Sequence, residues 1–222
     1  MAVEFDSKNL PFKVRDCAFT PIATGYMAHS LIDLYELLKI IPVESIYYHF
    51  WRQIIDTSLA EGSFYNDFSH WAHYDLHDDF LAERLTWINP VEFADFEKLR
   101  SDMLQIIESR MGEKEDKSNS LEVNPFYFVK SNIIIFNTEY QIDTPKGLVK
   151  ALPNLSKSSI FYHFIDARRR QPLNQDDLTV WLQGYEGQFM PLIQRLKEID
   201  PYFISLFSLQ KKLCASVNEY FI

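Results

Sequence analysis

The stretch Ser45-Ile46-Tyr47-Tyr48-His49-Phe50 recurs 114 residues later as Ser159-Ile160-Phe161-Tyr162-His163-Phe164, with five of the six positions identical. The likeness extends backwards without a gap, so that residues 11–50 lie on residues 125–164 with 11 identities in 40. A repeat of this kind is stronger evidence for the architecture than any single predicted helix or strand. The sequence therefore predicts a tandem duplication of one module.

Further blocks match in the same order after a four-residue deletion in the second copy. Residues 66–71 face residues 176–181, and a Trp ends both blocks. Residues 84–90 then face residues 195–201. Between the copies, residues 112–120 are polar and lack apolar periodicity, which is typical of a linker. We expect a first module over residues 11–110, a polar linker over 111–124 and a second module over 125–217.

Each module is expected to open with a short β hairpin. In the second copy, residues 126–129 and 133–136 are β-prone and are separated by Lys130-Ser131-Asn132. In the first copy the pattern is weaker, because Pro21 interrupts the second strand. Apolar residues then recur every three or four positions, which is typical of amphipathic helices. The predicted fold class is mostly α (α+β), with two tandem pseudo-equivalent helical modules, each opened by a hairpin.

Charge and composition narrow the classes of function. Residues 1–114 hold 10 Lys and Arg against 19 Asp and Glu, whereas residues 115–222 hold 12 against 12. An acidic surface repels phosphate backbones, so we expect no nucleic-acid partner. No apolar run reaches the roughly 18 residues that span a bilayer, and residues 1–10 lack an apolar signal segment. We expect a cytoplasmic protein with no membrane partner, in which Cys17 and Cys214 are reduced and buried.

At the level of motifs, the chain resembles a prokaryotic domain family of unknown function with tandem S-I-x-Y-H-F and N-D-F-x-x-W motifs. The resemblance covers residues 11–216. Its motifs here are Ala23-Thr24-Gly25, the stretch from Ser45 to His49, residues 66–71, residues 81–85, and His163 followed by Ala167-Arg168-Arg169-Arg170. The resemblance implies an architecture but no activity, cofactor or site.

The twin histidines His49 and His163 are the first candidate functional residues. Each follows a tyrosine, Tyr48 or Tyr162, and lies four positions after a serine, so that serine and histidine share a helix face. With the duplicated Asp67 and Asp177, they permit a Ser/His/Asp nucleophilic set. The competing interpretation is structural: a buried imidazole donates to the aspartate, and the aspartate caps its own helix.

A second candidate cluster is His70, His73 and His77, whose spacing places them on one face of a helix and permits a metal site. The second copy has Val180, Gln183 and Gly187 at the aligned positions, so the cluster belongs to one copy only. We therefore predict no metal and no other cofactor. A solvated polar face is the alternative interpretation of the three histidines.

The arginines Arg168, Arg169 and Arg170 form the third candidate group. They suit an anion clamp, or a structural contact that salt bridges hold between the copies. Taken together, the sequence leaves the function unknown and favours a non-enzymatic binding or regulatory protein with a small anion or a protein as partner. The alternative is a hydrolase-like enzyme with a His/Asp/Arg site at the interface of the two repeats.

Overall fold

A computed structural model describes residues 10–55, 64–93, 95–113, 124–170 and 172–222. These residues form a mixed α+β structure that is mostly helical, with ten α-helices and two strands of 17 residues each. The chain divides into two compact units. We call Phe19–Ile133 the contiguous unit, and Met1–Ala18 with Ile134–Ile222 the split unit.

The strands β1 (Phe12–Ala28) and β2 (Phe126–Ile142) form a two-stranded sheet. The division between the units falls in the middle of both strands, so each unit contains a part of β1 and a part of β2. In the contiguous unit, Thr24 Oγ1 donates to the carbonyl of Phe128 at 2.6 Å. In the split unit, Thr138 Oγ1 donates to the carbonyl of Val14 at 2.5 Å. The pairing is therefore antiparallel, and both residues of the second bond differ by 114 from those of the first.

The predicted hairpins are wrong. β2 continues without a turn through Lys130-Ser131-Asn132, and β1 continues through Pro21. The tripeptide contains no glycine to supply the left-handed backbone that a tight hairpin favours, so the β-prone flanks extend into one strand. Pro21 is tolerated because both strands of a two-stranded sheet are edge strands, where a missing N–H need not remove a ladder bond.

The contiguous unit contains the helices α1 (Leu31–Leu38), α2 (Val43–Ile55), α3 (Asp67–Tyr74), α4 (Asp79–Thr86) and α5 (Phe96–Glu113), with a 3₁₀ turn at Pro90–Glu92. Ser30, Asn66 and Asp78 cap α1, α3 and α4 by accepting backbone N–H bonds. Helix α5 includes the first three residues of the predicted linker. Residues 114–123, which make up the rest of that linker apart from Asn124, lie outside the described residues.

The split unit has a similar order of elements. Helix α6 (Leu148–Ala151) lies between the 3₁₀ turns Pro145–Gly147 and Leu152–Asn154. Helix α7 (Lys157–Ile160) continues as a π-helical turn, Phe161–Ile165, and a 3₁₀ turn, Asp166–Arg169. The helices α8 (Asp177–Gln183), α9 (Met190–Lys197) and α10 (Leu206–Phe221) complete the unit. The second histidine motif thus lies in an irregular helix, whereas α2 is regular.

Each unit has its own apolar core. Large side chains that solvent does not reach include Leu34, Phe50, Phe68 and Leu81 in the contiguous unit, and Phe164, Leu196, Tyr202 and Leu209 in the split unit. Trp71 is buried, whereas Trp181 is half-buried. Cys17 is buried and Cys214 is half-buried, and both are free thiols. In the part of the chain that the structure describes, every helix is too short or too polar to cross a bilayer.

Candidate functional site

His49 and Ser45 hold the main chain of β2 in the contiguous unit. The backbone N–H of Val129 donates to His49 Nε2 at 3.0 Å, and Ser45 Oγ donates to the carbonyl of the same residue at 2.8 Å. Ser45 and His49 lie one turn apart on α2, so their side chains leave the helix on one face. Both polar groups of one strand residue are therefore bound by side chains, and we call this arrangement the strand clamp.

The other ring nitrogen of His49 binds Asp67. Nδ1 lies 2.8 Å from Asp67 Oδ2. Because Nε2 accepts the Val129 N–H, the ring proton belongs on Nδ1, and the neutral imidazole donates it to the carboxylate. Arg52 Nη1 and Gln53 Nε2 also donate to Asp67, at 3.2 and 3.3 Å. Burial raises the pKa of Asp67, but the hydrogen bond from His49 and the charge of Arg52 outweigh it, so the pKa is lowered.

A second strand clamp occurs in the split unit. The backbone N–H of Arg15 donates to His163 Nε2 at 2.8 Å, and Ser159 Oγ donates to the Arg15 carbonyl at 2.6 Å. His163 Nδ1 lies 2.7 Å from Asp177 Oδ2. Arg15 and Val129 differ by 114 positions, as do the two serines and the two histidines. The same three hydrogen bonds therefore form in both units.

Each clamped strand inserts a phenylalanine, and a tryptophan donates to a carbonyl two residues before the strand begins. Trp71 Nε1 donates to the carbonyl of Asn124, and Trp181 Nε1 donates to the carbonyl of Leu10, both at 2.8 Å. Phe126 stacks on Phe68 with ring centroids 5.0 Å apart and lies 4.7 Å from the His49 ring. Phe12 lies 4.8 Å from the His163 ring and 5.4 Å from Trp181. Hydrogen bonds to its main chain hold each strand in place, and burial of its phenylalanine against the helices adds apolar stabilisation.

The Ser/His/Asp candidates are brought together, but in an order that differs from a nucleophilic set. A nucleophilic serine must donate to the imidazole, whereas Ser45 and Ser159 donate to strand carbonyls. The imidazoles are only 3% and 4% exposed, and both nitrogens of each are engaged. The expected capping role is wrong: Asn66 and Asp176 cap α3 and α8, and the paired aspartates are the first residues of those helices.

The three arginines make contacts within the split unit. Arg168 lies over the Phe164 ring at 4.5 Å, and burial lowers its pKa. Arg169 pairs with Asp166 at 2.5 Å. The guanidinium of Arg170 lies 4.3 Å from the centroid of the Tyr162 ring. It donates to the Tyr162 hydroxyl at 3.1 Å and to Asp177 Oδ2 at 2.9 Å.

The three histidines considered for a metal are not on one helix. Helix α3 ends at Tyr74, and exposed His77 lies beyond it with a left-handed backbone, φ 50°. The spacing of a continuous helix therefore does not apply to His77. His70 packs on Tyr74 at 4.4 Å, and His73 Nδ1 lies 2.5 Å from Asp79. Among the described residues, no group of three potential ligands is arranged to hold a metal.

An open cleft of about 380 Å³ lies beside the strand clamp of the contiguous unit. Its wall is part aromatic and part charged. It is lined by Tyr48, His49, Arg52, Asp67, His70, Trp71, Asp75, Pro125, Phe126, Tyr127 and Val129. The strand residue Tyr127 is 60% exposed. The cleft is large enough for a side chain or a small molecule and presents both π faces and charges.

Comparison with known proteins places this architecture in a family. A family of unknown function, DUF5752, matches residues 9–218. The chain belongs to this family. No curated protein matches the chain. The structure of OrfY from Thermoproteus tenax is similar, with a TM-score of 0.80 and 22% sequence identity over 96% of each chain. At this identity, the likeness establishes a shared fold.

Sequence reasoning placed the paired histidines and aspartates but missed the strands that the histidines hold. The partner of each Nε2 is a main-chain N–H, which every residue except proline carries, so no side chain marks it. One signal was present: the Pro-Phe at residues 11–12 recurs at residues 125–126, and each pair lies three residues before its clamped residue. Tyr127, which lines the cleft, was also missed, because it does not belong to a duplicated motif.

Proposed function

We propose that this DUF5752 protein is a non-enzymatic binding protein whose ligand site is the cleft of the contiguous unit. The proposal rests on one observation: His49 is fully engaged in structural hydrogen bonds, yet an open cavity lies beside it. The imidazole uses both nitrogens to hold β2 and Asp67, while an open cavity with aromatic and charged walls lies beside it. A fully engaged imidazole serves the fold, whereas the exposed ring of Tyr127 and the carboxylate of Asp75 line the open cavity.

The chain is, in this proposal, a tandem duplication with modules over residues 11–110 and 125–217. Support comes from hydrogen bonds whose two residues both shift by 114 between the units: Ser45 and Ser159 to strand carbonyls, strand N–H groups to His49 and His163, and Thr24 and Thr138 to strand carbonyls. Each module supplies one clamp, and the strand that it holds comes from the other module. This reciprocal arrangement accounts for the repeated spacing of serine and histidine within the chain.

The hydrolase alternative receives less support from this geometry. General-base catalysis needs an imidazole nitrogen within reach of the proton that it abstracts. Each Nε2 instead accepts a strand N–H, at 3.0 Å in His49 and 2.8 Å in His163. The proposed partner is a small molecule or a protein side chain that enters the cleft.

Thermal-shift screening of the full chain against separate panels of anions, cations and neutral metabolites tests the proposed function. We expect one class to raise the melting temperature of the wild type but not of Tyr127→Ala, which opens the cleft wall. Tyr140→Ala is the matched control, because Tyr140 is an exposed tyrosine of the same strand outside the cleft. A panel without a binder, or a binder that Tyr127→Ala retains, would contradict the assignment of the cleft.

A further inference from the structure

In the split unit, a positively charged side chain lies beside the strand clamp. There, Tyr162 and Asp177 hold the guanidinium of Arg170, which lies 4.3 Å from the ring centroid and 2.9 Å from the carboxylate oxygen. The same guanidinium donates to the Tyr162 hydroxyl and carbonyl, at 3.1 and 2.9 Å. A cation–π contact and charge-assisted hydrogen bonds therefore hold a cation beside the clamp.

The contiguous unit has the corresponding tyrosine and aspartate, but the arginine that binds its aspartate comes from another position of the sequence. Tyr48 and Asp67 are the counterparts of Tyr162 and Asp177, and both line the cleft. The place of Arg170 falls in residues 53–63, which contain neither Lys nor Arg. Arg52, on α2 itself, donates to Asp67 at 3.2 Å, and the cleft beside this pair stays open.

The cleft also contains a carboxylate that the split unit lacks. Asp75 lines the cleft, and its Oδ1 accepts a bond from Asn124 Nδ2 at 2.9 Å. Within the described ranges, no Lys or Arg forms an ion pair with Asp75. Tyr185 occupies the position that aligns with Asp75 in the second copy. Because Arg52 already neutralises Asp67, Asp75 is the carboxylate that leaves negative charge in the cleft.

The net charge of the whole contiguous unit also favours a cationic ligand. Residues 19–133 contain 9 Lys and Arg against 19 Asp and Glu, whereas the residues of the split unit contain 13 against 12. A strongly acidic body raises the local concentration of cations and repels anions. The long-range field and the local carboxylate therefore favour the same sign of ligand.

We propose that the cleft of the contiguous unit binds a guanidinium or ammonium group from outside the chain, between its aromatic wall and Asp75. The ligand would be held by the same kinds of contact, a π face and a carboxylate, that hold Arg170 within the split unit. The inference rests on the proposed function, since it names the ligand chemistry of the same cleft. The group comes either from a free small cation or from an arginine or lysine side chain of a partner protein.

Calorimetric titration of the full chain with defined probes tests the inference. The probes are methylguanidinium, the peptide Gly-Arg-Gly with blocked ends, the same peptide with citrulline as a neutral isostere, and inorganic phosphate. We expect the two cations to bind at least about tenfold more tightly than the citrulline peptide or phosphate. Comparable affinity for both cations identifies a free small cation as sufficient, and a marked preference for the peptide identifies a partner side chain.

Variants locate the bound cation. Asp75→Asn keeps the size of the side chain and removes its charge, so cation affinity should fall about tenfold or more. Asp79→Asn is the control, because Asp79 is an exposed aspartate of the same region that does not line the cleft. Equal losses in the two variants would show a general effect of charge and would overturn the assignment to the cleft.

The arginine of the split unit provides an independent check of the premise. Arg170→Ala should lower the melting temperature, and methylguanidinium at millimolar concentration should restore part of the loss, whereas sodium chloride at equal ionic strength should not. If wild-type protein binds phosphate or the citrulline peptide in the cleft but neither cation, this inference is wrong and the proposed function stands. If the cations fail and the metabolite panels contain no binder, both are wrong.

Discussion

At the scale of single residues, the histidines show how far a sequence can specify a polar interaction. Apolar neighbours on both sides of His49 and His163 indicate burial, and a buried imidazole needs a partner for its N–H, which points to Asp67 and Asp177. The structure contains both pairs, at 2.8 and 2.7 Å. The partners of the other nitrogens are main-chain groups 80 and 148 residues away, and no local pattern specifies such contacts.

Replacing His49 or His163 with Asn tests the structural role of the imidazoles. Each variant leaves a strand N–H and a carboxylate with poorer partners, so the free energy of unfolding should fall by about 1–3 kcal/mol. The two losses should be similar because the bonds are equivalent. His70→Asn, at an exposed position, is the control for chemical denaturation. A change below about 0.5 kcal/mol in both clamp variants would refute the structural role.

The lowered pKa of Asp67 predicts a specific dependence of stability on pH. A carboxyl with a folded-state pKa below its unfolded value stabilises the fold fully above the unfolded value, about 4. That contribution is lost as pH falls through the folded value. Denaturation between about pH 6 and 3 should therefore show a shallower acid loss in Asp67→Asn than in the wild type. A wild-type slope in Asp67→Asn would show that Asp67 does not contribute.

At the scale of elements, helices were more predictable than strands. The capping serine Ser30 and the apolar spacing that follows it mark α1, and the structure begins the helix at Leu31. The strands were misread because β propensity fixes an extended conformation but not its partner. A 17-residue strand and a hairpin of two short strands have nearly the same composition, and Pro21 counts against either interpretation.

The irregular second motif helix also escaped prediction. The stretch at 159–164 differs from that at 45–50 at one position only, yet α2 is regular and its counterpart contains a π-helical turn. The chain from this stretch to the following Trp is four residues shorter in the second half, where the 3₁₀ turn at Asp166–Arg169 brings Arg170 onto Tyr162. The connection, and not the motif itself, decides the helix type.

The buried thiol of Cys17 in β1 should react slowly with alkylating reagents. Burial, with the nearby charges of Asp166 and Asp16, raises the pKa of Cys17 to about 12. At pH 8 roughly one thiol in ten thousand is then a thiolate, which is the reactive form. Iodoacetamide should label Cys17 in the native chain far more slowly than in urea, as measured by mass spectrometry of the peptides. Equal rates in both states would show that the first half of β1 is not docked.

The tryptophans of α3 and α8 should differ in their contribution to stability. Trp71 is 4% exposed, so truncation to Ala should lower the free energy of unfolding by about 3–5 kcal/mol. Trp181 makes the corresponding bond to the carbonyl of Leu10 but is half-buried, so Trp181→Ala should lower the free energy of unfolding by less. Chemical denaturation compares the two variants. An equal or larger loss in Trp181→Ala would contradict the burial of the two rings.

At the scale of the whole molecule, the repeat pattern was visible in the sequence, but the composition of the compact units was not. The sequence suggests that each module is complete in itself. The units instead divide both strands at their middle, and the split unit takes residues from both ends of the chain. The clamp binds backbone atoms, which every strand carries. The local sequence around a clamp therefore does not specify whether it binds the strand nearby in sequence or the equivalent strand from the other half of the chain.

The division into units shows where the net negative charge lies relative to the cleft. The excess of 10 acidic residues in residues 19–133 belongs to the same unit as the cleft, while the split unit is nearly neutral. This distribution is what favours a cationic ligand over the anion that the three arginines suggest. The membership of the DUF5752 family and the fold shared with OrfY from Thermoproteus tenax are consistent with a common architecture and leave the ligand to be identified by experiment.

Both histidines act as acceptors for strand N–H groups. The most direct test is a nuclear magnetic resonance measurement of scalar couplings across N–H···N hydrogen bonds in the nitrogen-15-labelled chain near neutral pH. This acceptor role predicts two such couplings, from the Val129 amide to His49 Nε2 and from the Arg15 amide to His163 Nε2. Protonated Nε2 atoms without either coupling would contradict it, because those imidazoles would then be free to act on a ligand.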